Sequence, residues 1–290
     1  MSAWAACRAA ALSEAERIAD LAEHSLVLEI DTYPKPGLVS HVDTGSHADM
    51  DAATFARSAA VLRPYFAELA DAGARDADMA VLRKIGLRAE HAMLAATGGV
   101  NTHRGAIFGL GLLCAAAGRR TVSVSGTAAR TMTLGAFVAQ RWGAEILGGP
   151  RLPDSHGERA SRRYGVGGAR REAADGFPTV YCVGLPALRR AQRRVPDDAE
   201  AARVDACFAL IAALDDTNLL HRGGQAGLEF ARATARAFVA RGGIRARDWR
   251  MRAAAAHRAF VARRLSPGGA ADLLAMSVFV DALEAAGERQ

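Results

Sequence analysis

Apolar residues recur along this chain at three- and four-residue steps, the period of an amphipathic helix. Strict alternation is confined to Thr121-Val-Ser-Val-Ser125. Ser13-x-x-Glu16 reads as a capping box that opens a first helix, and that helix must stop before Pro34 and Pro36. A second starts near Asp51, carries Phe55, Ala59 and Leu62 on its apolar face, and is expected to kink at Pro64. A third runs from Asp78 to Ala96 and ends at Gly98-Gly99. Gly105 to Ala117 reads as an apolar helix stopped by Gly118, and Gly126 to Trp142 as another stopped by Gly143. Between Gly148 and Phe177 the period is lost among Gly and Arg residues. It returns over Pro178 to Arg190, Asp197 to Leu214, Gln225 to Ala240 and Asp248 to Arg263. A last helix runs from Pro267 to Ala286, with Ser266 as N-cap and Pro267 at its first position. The pattern predicts an all-α fold, a single domain over residues 1–290 with about ten helices joined by Gly-rich turns.

Composition narrows the class. Half of the 290 residues are hydrophobic and 23% are charged, which excludes a disordered chain and allows a sizeable core. Aromatics are only 6%, so the core is built largely of small side chains, which suits closely packed helices. The net charge of +6 fits an anionic small substrate as well as it fits nucleic acid. Cys7, Cys114, Cys182 and Cys207 lie far apart with no CxxC spacing, and read as reduced core thiols. No apolar run reaches membrane-spanning length, and Met1 to Arg17 lacks the apolar segment of a signal peptide. The expectation is a cytoplasmic protein that does not engage a membrane.

The chemistry sits between the helices. Ordinary connections are short and polar; these are rich in His, Asp, Arg, Lys and Gly. They are Tyr33-Pro-Lys-Pro-Gly-Leu-Val39, Gly45-Ser-His-Ala-Asp-Met-Asp51, Thr97-Gly-Gly-Val-Asn-Thr-His-Arg-Gly105, Asp215-Asp-Thr-Asn-Leu-Leu-His-Arg-Gly-Gly224 and Ser266-Pro-Gly-Gly-Ala-Ala-Asp272. A Gly-rich turn entering a helix offers free N–H groups and a positive dipole end, which suits phosphate, although one such turn alone is most often only a cap. Several of them with basic side chains point to a polyphosphate site.

Individual residues sharpen this. At about 100° per residue, Glu29 shares the apolar stripe of the first helix with Ile18, Ala22 and Ser25, so it should point inward and meet a cation or donor. It is either a core ion pair, for instance to an Arg, or a metal ligand or general base. His47, Asp49 and Asp51 alternate in one turn, and a hard cation such as Mg²⁺ needs only one or two carboxylates beside substrate phosphates. Asp51 is assigned mainly to capping and Asp49 mainly to function. If the stretch after Asp215 and Asp216 is helical, Asn218, His221 and Arg222 share a face. Asp272 falls in the first turn of the last helix, where the helix dipole alone accounts for it. The basic stretch from His156 through Arg159 and Arg170 to Arg171 is either a solvated loop or a lid over an anionic ligand. It lacks the aromatic interleaving of a single-strand nucleic-acid binder. There is no P-loop, HExxH, GxSxG, DDxxD pair or adjacent His-Asp dyad. The residues by themselves lead to an all-α enzyme that uses Mg²⁺ on a polyphosphate ligand.

In this order the turns resemble the triphosphoribosyl-dephospho-CoA synthase family. The matching pieces are Pro34-Lys-Pro-Gly-Leu-Val39, Gly45 to Asp51, Gly98-Gly-Val-Asn-Thr-His-Arg-Gly-Ala106, Tyr164-Gly-Val-Gly-Gly-Ala-Arg170 with Gly176-Phe-Pro178, Asp216 to Gly224, and Ser266 to Leu274. Ser40 and Gly45-Ser-His47 look more like the malonate-decarboxylase branch than the citrate-lyase branch. The resemblance implies transfer of the triphosphoribosyl group of ATP to the ribose 2′-OH of 3′-dephospho-CoA, with release of adenine. The product would pass to a carrier-protein holo-synthase transferase, with no nucleic-acid partner. Such a step asks for Mg²⁺ on the triphosphate, a base for the hydroxyl, an anion beside an oxocarbenium-like C1, and exclusion of water. Under this resemblance Glu29, Asp49 and Asp216 are expected at the metal and the oxocarbenium centre, and His47 or Asp49 at the base. Lys35, His103, Arg104, Asn218, His221 and Arg222 would bind substrate. Gly98-Gly99, Gly223-Gly224 and Gly268-Gly269 would give backbone donors, and Arg159 and Arg170 would close over the ligands. Two other readings remain open: a Mg²⁺-dependent nucleotide or ADP-ribose-type glycohydrolase of the same fold, and a basic RNA-binding adaptor.

Overall fold

The computed structural model describes residues 12–122, 132–150 and 156–287. Helices α1 (Glu14–Ile30), α2 (Ala52–Ala74), α3 (Met79–Ala96) and α4 (Arg104–Val122) come first, followed by α5 (Leu134–Gly148). Two short helices, α6 (His156–Tyr164) and α7 (Gly168–Ala174), lead through a π-helical turn at Val180–Gly184 into α8 (Leu185–Arg194). α9 (Ala199–Ala213), α10 (Thr217–Ala240), α11 (Trp249–Ala262) and α12 (Gly268–Gly287) complete an all-α architecture; among the described residues there is no strand.

Local signals set several of the starts. Ser13 and Glu16 close the expected capping box on α1. Asp51, Asp78, Thr133 and Asp198 each accept a backbone N–H as N-caps of α2, α3, α5 and α9. α2 continues through Pro64.

Helix α4 is the centre of the molecule. It is buried from Ala106 to Gly118 except at Phe108, and it packs against α1, α2, α3, α5, α7 and α12. Glycines let its neighbours approach at backbone distance. A Cβ at Gly73 of α2 would collide with the Ala115 carbonyl of α4, and one at Gly118 of α4 would collide with the Ala70 carbonyl of α2. The small-residue composition is therefore a packing device.

Several expected boundaries are corrected by such contacts. Gly118 does not stop α4, and Gly143 does not stop α5; Gly143 instead sits against the backbone of Ala174. The expected start of α5 near Gly126 lies outside the described residues, as does Cys7. The described part of the stretch from Gly148 to Phe177 carries two helices: α6 packs on α10, and α7 on α5. α10 begins at Thr217 rather than Gln225, and is interrupted at Gly224, whose φ of 62° and ψ of −161° only glycine adopts without strain. Cys114 and Cys207 are buried free thiols, as expected, but Cys182 is exposed. No described helix is long and apolar enough to cross a membrane.

The α2–α4 contact predicts opposite outcomes for two Gly→Ala changes. Gly86, inside α3, has open space where a Cβ would go. Gly86→Ala should therefore stabilise by about 0.5–1 kcal/mol through helix propensity. Gly73→Ala has the same propensity gain but should destabilise by about 1–3 kcal/mol through overpacking. Urea unfolding of both variants reads the signs; stabilisation by Gly73→Ala would mean that the two helices are not in backbone contact there.

Candidate active site

A cleft of about 1220 Å³ is walled by the end of α1, the turn after Val39, the N-termini of α4, α10 and α12, and the α6–α7 pair. Glu29, His47, Asp49, His103, Arg104, Arg170, Asp216, Asn218, His221, Arg222, Gly268 and Gly269 all lie on its wall. Residues up to 240 positions apart in sequence are thus brought to one site (Gly269 against Glu29).

At its floor two aspartates hold helix ends. Asp216 is 1% exposed and accepts N–H bonds from Asn218 (2.8 Å) and Leu219 (3.3 Å) of its own helix, and from Ala270 (3.0 Å) of α12. Burial raises its pKa, opposed by these backbone donors. Ser266 was expected to cap α12, but its hydroxyl is engaged by His47, and Asp216 supplies the acceptor instead. Asp272 was expected in the first turn of the last helix, but α12 starts at Gly268 and Asp272 is its fifth residue, past that turn, from where it reaches to the start of α4. Its carboxyl occupies the space a Cβ would take at Gly105, and it accepts the Ala106 N–H. Burial, and then the negative charges of Glu29 and Asp216, raise its pKa well above the usual carboxylate range. Sequence reasoning set this residue aside because the helix dipole already explained it. Its partners come from three distant segments, so no local signal could have found it.

Glu29 points inward as expected, and the cation it meets is Lys35. The Lys35 ammonium is fully buried and bonds both the carboxylate and the main-chain carbonyl of Glu29. Lys35 is therefore not on the cleft wall and does not grip phosphate. The whole run from Pro34 to Ser40 is buried, with the Lys35 carbonyl accepting from His257 Nδ1 at 2.6 Å. Glu29 keeps 7% of its side chain exposed, on the cleft.

His47 Nε2 lies 2.9 Å from the Ser266 hydroxyl, and its Nδ1 accepts from Arg222 at 3.3 Å. Burial, then the Arg222 charge, lower its pKa. Arg222 also donates to the carbonyls of Ser46 and Arg264, both at 3.3 Å. Asp49 is exposed at the mouth, 3.7 Å from His47 Nδ1. Asn218, His221 and Arg222 do lie in a helical segment, as the spacing required. His103 is buried and neutral, its pKa lowered to about 3 by burial and then by the Lys35 charge. Arg104 is paired with Glu90.

Other expected residues fall elsewhere. Gly98 and Gly99 are exposed, with φ of 66° and 90°, and end α3 through a Gly99 N–H bond to the Leu94 carbonyl (2.7 Å). Gly223 and Gly224 form the break in α10, off the cleft wall. Arg159 is exposed on α6, also off the wall. Arg170 does face the cleft, but its guanidinium closes the C-terminus of α5, bonding the carbonyls of Ile146, Leu147, Gly149 and Pro150. Among the described residues no three His, Cys, Asp or Glu side chains are grouped to hold a metal by themselves.

A family profile described as ATP:dephospho-CoA triphosphoribosyl transferase matches residues 15–290. A protein of Stutzerimonas stutzeri named probable 2-(5''-triphosphoribosyl)-3'-dephosphocoenzyme-A synthase is 44% identical, with 93% of each chain covered. Proteins of the same name from Azotobacter vinelandii and Acinetobacter calcoaceticus are 42% and 38% identical, covering 94% and 92% of this chain and 93% and 90% of their own lengths. No solved structure matches the chain.

Two stability predictions follow from the carboxylates. Glu29→Gln strands a buried ammonium and should cost about 3–5 kcal/mol, with much of the loss recovered in Glu29→Gln/Lys35→Met. Equal chemical stability of the single variant and the wild type would show that the pair does not hold the Pro34–Ser40 segment. Asp272 has a raised folded-state pKa. Its stabilising contribution is therefore full below the ordinary carboxylate pKa and is lost as pH rises toward the folded value. Asp272→Asn should thus melt higher than the wild type at pH 8, with the gap narrowing toward pH 4. A gap independent of pH would contradict this.

Proposed function

The chain belongs to the ATP:dephospho-CoA triphosphoribosyl transferase family, and from that membership we propose how its cleft carries out the reaction. The enzyme joins the triphosphoribosyl group of ATP to 3′-dephospho-CoA. In this reading a ribose hydroxyl oxygen of the acceptor forms a bond to C1 of the ATP ribose as the C1–adenine bond breaks. The hydroxyl proton is accounted for in the adenine that leaves, and the triphosphate travels with the sugar.

The observation that carries the mechanism is the contrast between the two floor aspartates. Asp216 is saturated with backbone donors and serves to fix the helix ends. Asp272 accepts one backbone donor and faces two negative neighbours, so with burial its pKa is raised above that of an ordinary carboxylate. A carboxylate of raised pKa is the better base. In its ionised form Asp272 faces the positive charge that develops at C1; as the new C1–O bond forms it takes the proton of the attacking hydroxyl, and it releases that proton again to the adenine that leaves. His47 and Asp49 are less suited to that role. The basic nitrogen of His47 is already bonded by Arg222, and Asp49 stands exposed at the mouth. Arg222 and His221, in the first segment of α10 on the cleft wall, grip the triphosphate.

Mg²⁺ belongs to this reading as the companion of ATP. Glu29 is tied to Lys35, and Asp216 to main-chain N–H groups. Asp49 is the expected ligand that remains available, and one carboxylate beside phosphates is enough for this ion. Bound there, Mg²⁺ would neutralise charge on the triphosphate. The α6–α7 pair is a helical wall that shields the reacting centre from water, in place of a mobile lid. The reading places the enzyme in the cytoplasm, with its product passing to a holo-synthase transferase for the carrier protein of malonate decarboxylase or citrate lyase.

The test follows adenine. With ATP, Mg²⁺ and 3′-dephospho-CoA, adenine should appear in step with a triphosphate-bearing CoA product; with ATP alone it should not. Equal adenine release without acceptor would make the protein a glycohydrolase. Asp272→Asn should lower kcat about 10²- to 10⁴-fold while the fold is retained. Arg222→Ala should raise KM for ATP with a smaller effect on kcat. Unchanged kinetics in either variant would remove that residue from its role.

A further inference from the structure

His103 stands at the N-terminus of α4, on the cleft wall and 3% exposed. Its Nδ1 lies 2.7 Å from the hydroxyl of Ser58, a fully buried residue of α2. That hydroxyl in turn accepts a hydrogen bond from Thr102 Oγ1, also at 2.7 Å. Each hydroxyl carries one proton. With Thr102 donating to Ser58, the Ser58 proton goes to Nδ1, which must therefore be the acceptor nitrogen of the ring. In a neutral imidazole the remaining proton is then on Nε2, and Nε2 is buried with no hydrogen-bond partner.

The relay thus fixes both the tautomer and the plane of the ring. Three features oppose protonation: burial, the nearby Lys35 ammonium, and the positive end of α4. The group is a neutral, oriented N–H donor. A buried donor without a partner is costly to keep, which marks it as reserved for a ligand. A triphosphate, with several negative charges, is better served by the cationic Arg222 at another part of the wall. Beside His103 stands Phe55, edge-on at a centroid distance of 4.9 Å and on the same wall. An aromatic surface next to a neutral donor suits a flat heteroaromatic base with ring-nitrogen acceptors.

We propose that the α4 end of the cleft is the purine subsite, where His103 Nε2–H donates to a ring nitrogen of the departing adenine and lowers the barrier to its release. This rests on the transferase reading. As the C1–N bond breaks, its electron pair stays on the base, and negative charge spreads onto the other ring nitrogens. A donor already in place stabilises that charge without giving up its proton. The proton that adenine finally keeps is the one released by the acceptor hydroxyl.

The experiment pairs a residue change with a substrate change. Adenine release and CoA product are followed with ATP, 3-deaza-ATP and 7-deaza-ATP, for wild type and for His103→Phe. Wild type should lose about 10²-fold in kcat with the analogue that lacks the bonded nitrogen. His103→Phe should be slowed about 10²-fold with ATP, and should no longer distinguish ATP from that analogue. His103→Gln, which can present an amide N–H, should recover part of both effects if the phenylalanine variant folds poorly. Ser58→Ala, which frees the tautomer, should lower kcat with little change in KM for 3′-dephospho-CoA. Wild type indifferent to both analogues, or variants that keep full discrimination, would overturn the proposal while leaving the transferase reading intact. Absence of any CoA product from the wild type would instead fail the reading on which it rests.

Discussion

The first N–H groups of an α-helix have no partner within the helix, and a buried helix end needs acceptors from elsewhere. Three such ends, those of α4, α10 and α12, meet beneath the cleft. Asp216 and Asp272 supply acceptors across them, Asp216 joining α10 to α12 and Asp272 joining α12 to α4. Every other part of the site is positioned relative to this junction. Gly105 lacks a side chain because Asp272 occupies the space, and Gly269 lies close against Asp216 for the same reason. Ser266, two residues before α12, holds His47, and His47 holds Arg222 of α10. The α4 end carries His103 and Arg104. A substrate entering the cleft meets groups whose spacing is set by main-chain geometry, and that preorganisation is what a displacement at a sugar carbon requires.

The junction also explains what could be read from the amino-acid order and what could not. Helices with an amphipathic stripe and a local cap were legible, because capping box, N-cap and period are all contained within a few residues: α1 from Ser13, α2 from Asp51, α3 from Asp78, and α9 from Asp197, one residue before its observed cap. Glycine was the main source of error. At Gly98 and Gly99 it ends a helix, at Gly73 and Gly118 it lets two helices touch, and at Gly105 it makes room for a carboxylate. In one dimension these three uses look the same. The α6–α7 pair was missed because helices of nine and seven residues with many arginines carry too short an apolar stripe to register. Lys35 was misassigned because a lysine beside prolines and glycine in a turn looks exposed, and only the fold shows that the turn is buried beneath His257.

Glu29 bears out the inference that an inward-pointing carboxylate must meet a cation, and that cation is Lys35. Its position on the apolar stripe demanded a partner, and the partner exists. The resulting pair fixes the buried Pro34–Ser40 segment to the end of α1, and the same segment leads into the turn that carries His47 and Asp49. Glu29 still contributes charge to the site, because its field raises the pKa of Asp272. Its influence on the chemistry passes through another carboxyl, in addition to whatever its small exposed edge touches.

Two aspartates at one junction therefore have different properties because their hydrogen bonds differ. Main-chain donors stabilise the ionised form of a carboxyl, while burial and negative neighbours stabilise the protonated form. Asp216 has several of the former, Asp272 one of the former and two of the latter. Removing a donor from Asp216 would make it resemble Asp272, and adding donors to Asp272 would turn it into a second structural cap. The division of labour is thus written in the count of N–H groups each carboxyl receives, which depends on how far each lies from the helix end it serves. Asp216 sits at the N-cap of its own helix and collects donors there. Asp272 lies beyond the first turn of α12, past the free N–H groups of its own helix, and must reach across to α4 for the one donor it has. The carboxyl of Asp272 is held in place by a helix end that is not its own, and its pKa stays high because that end offers it so little.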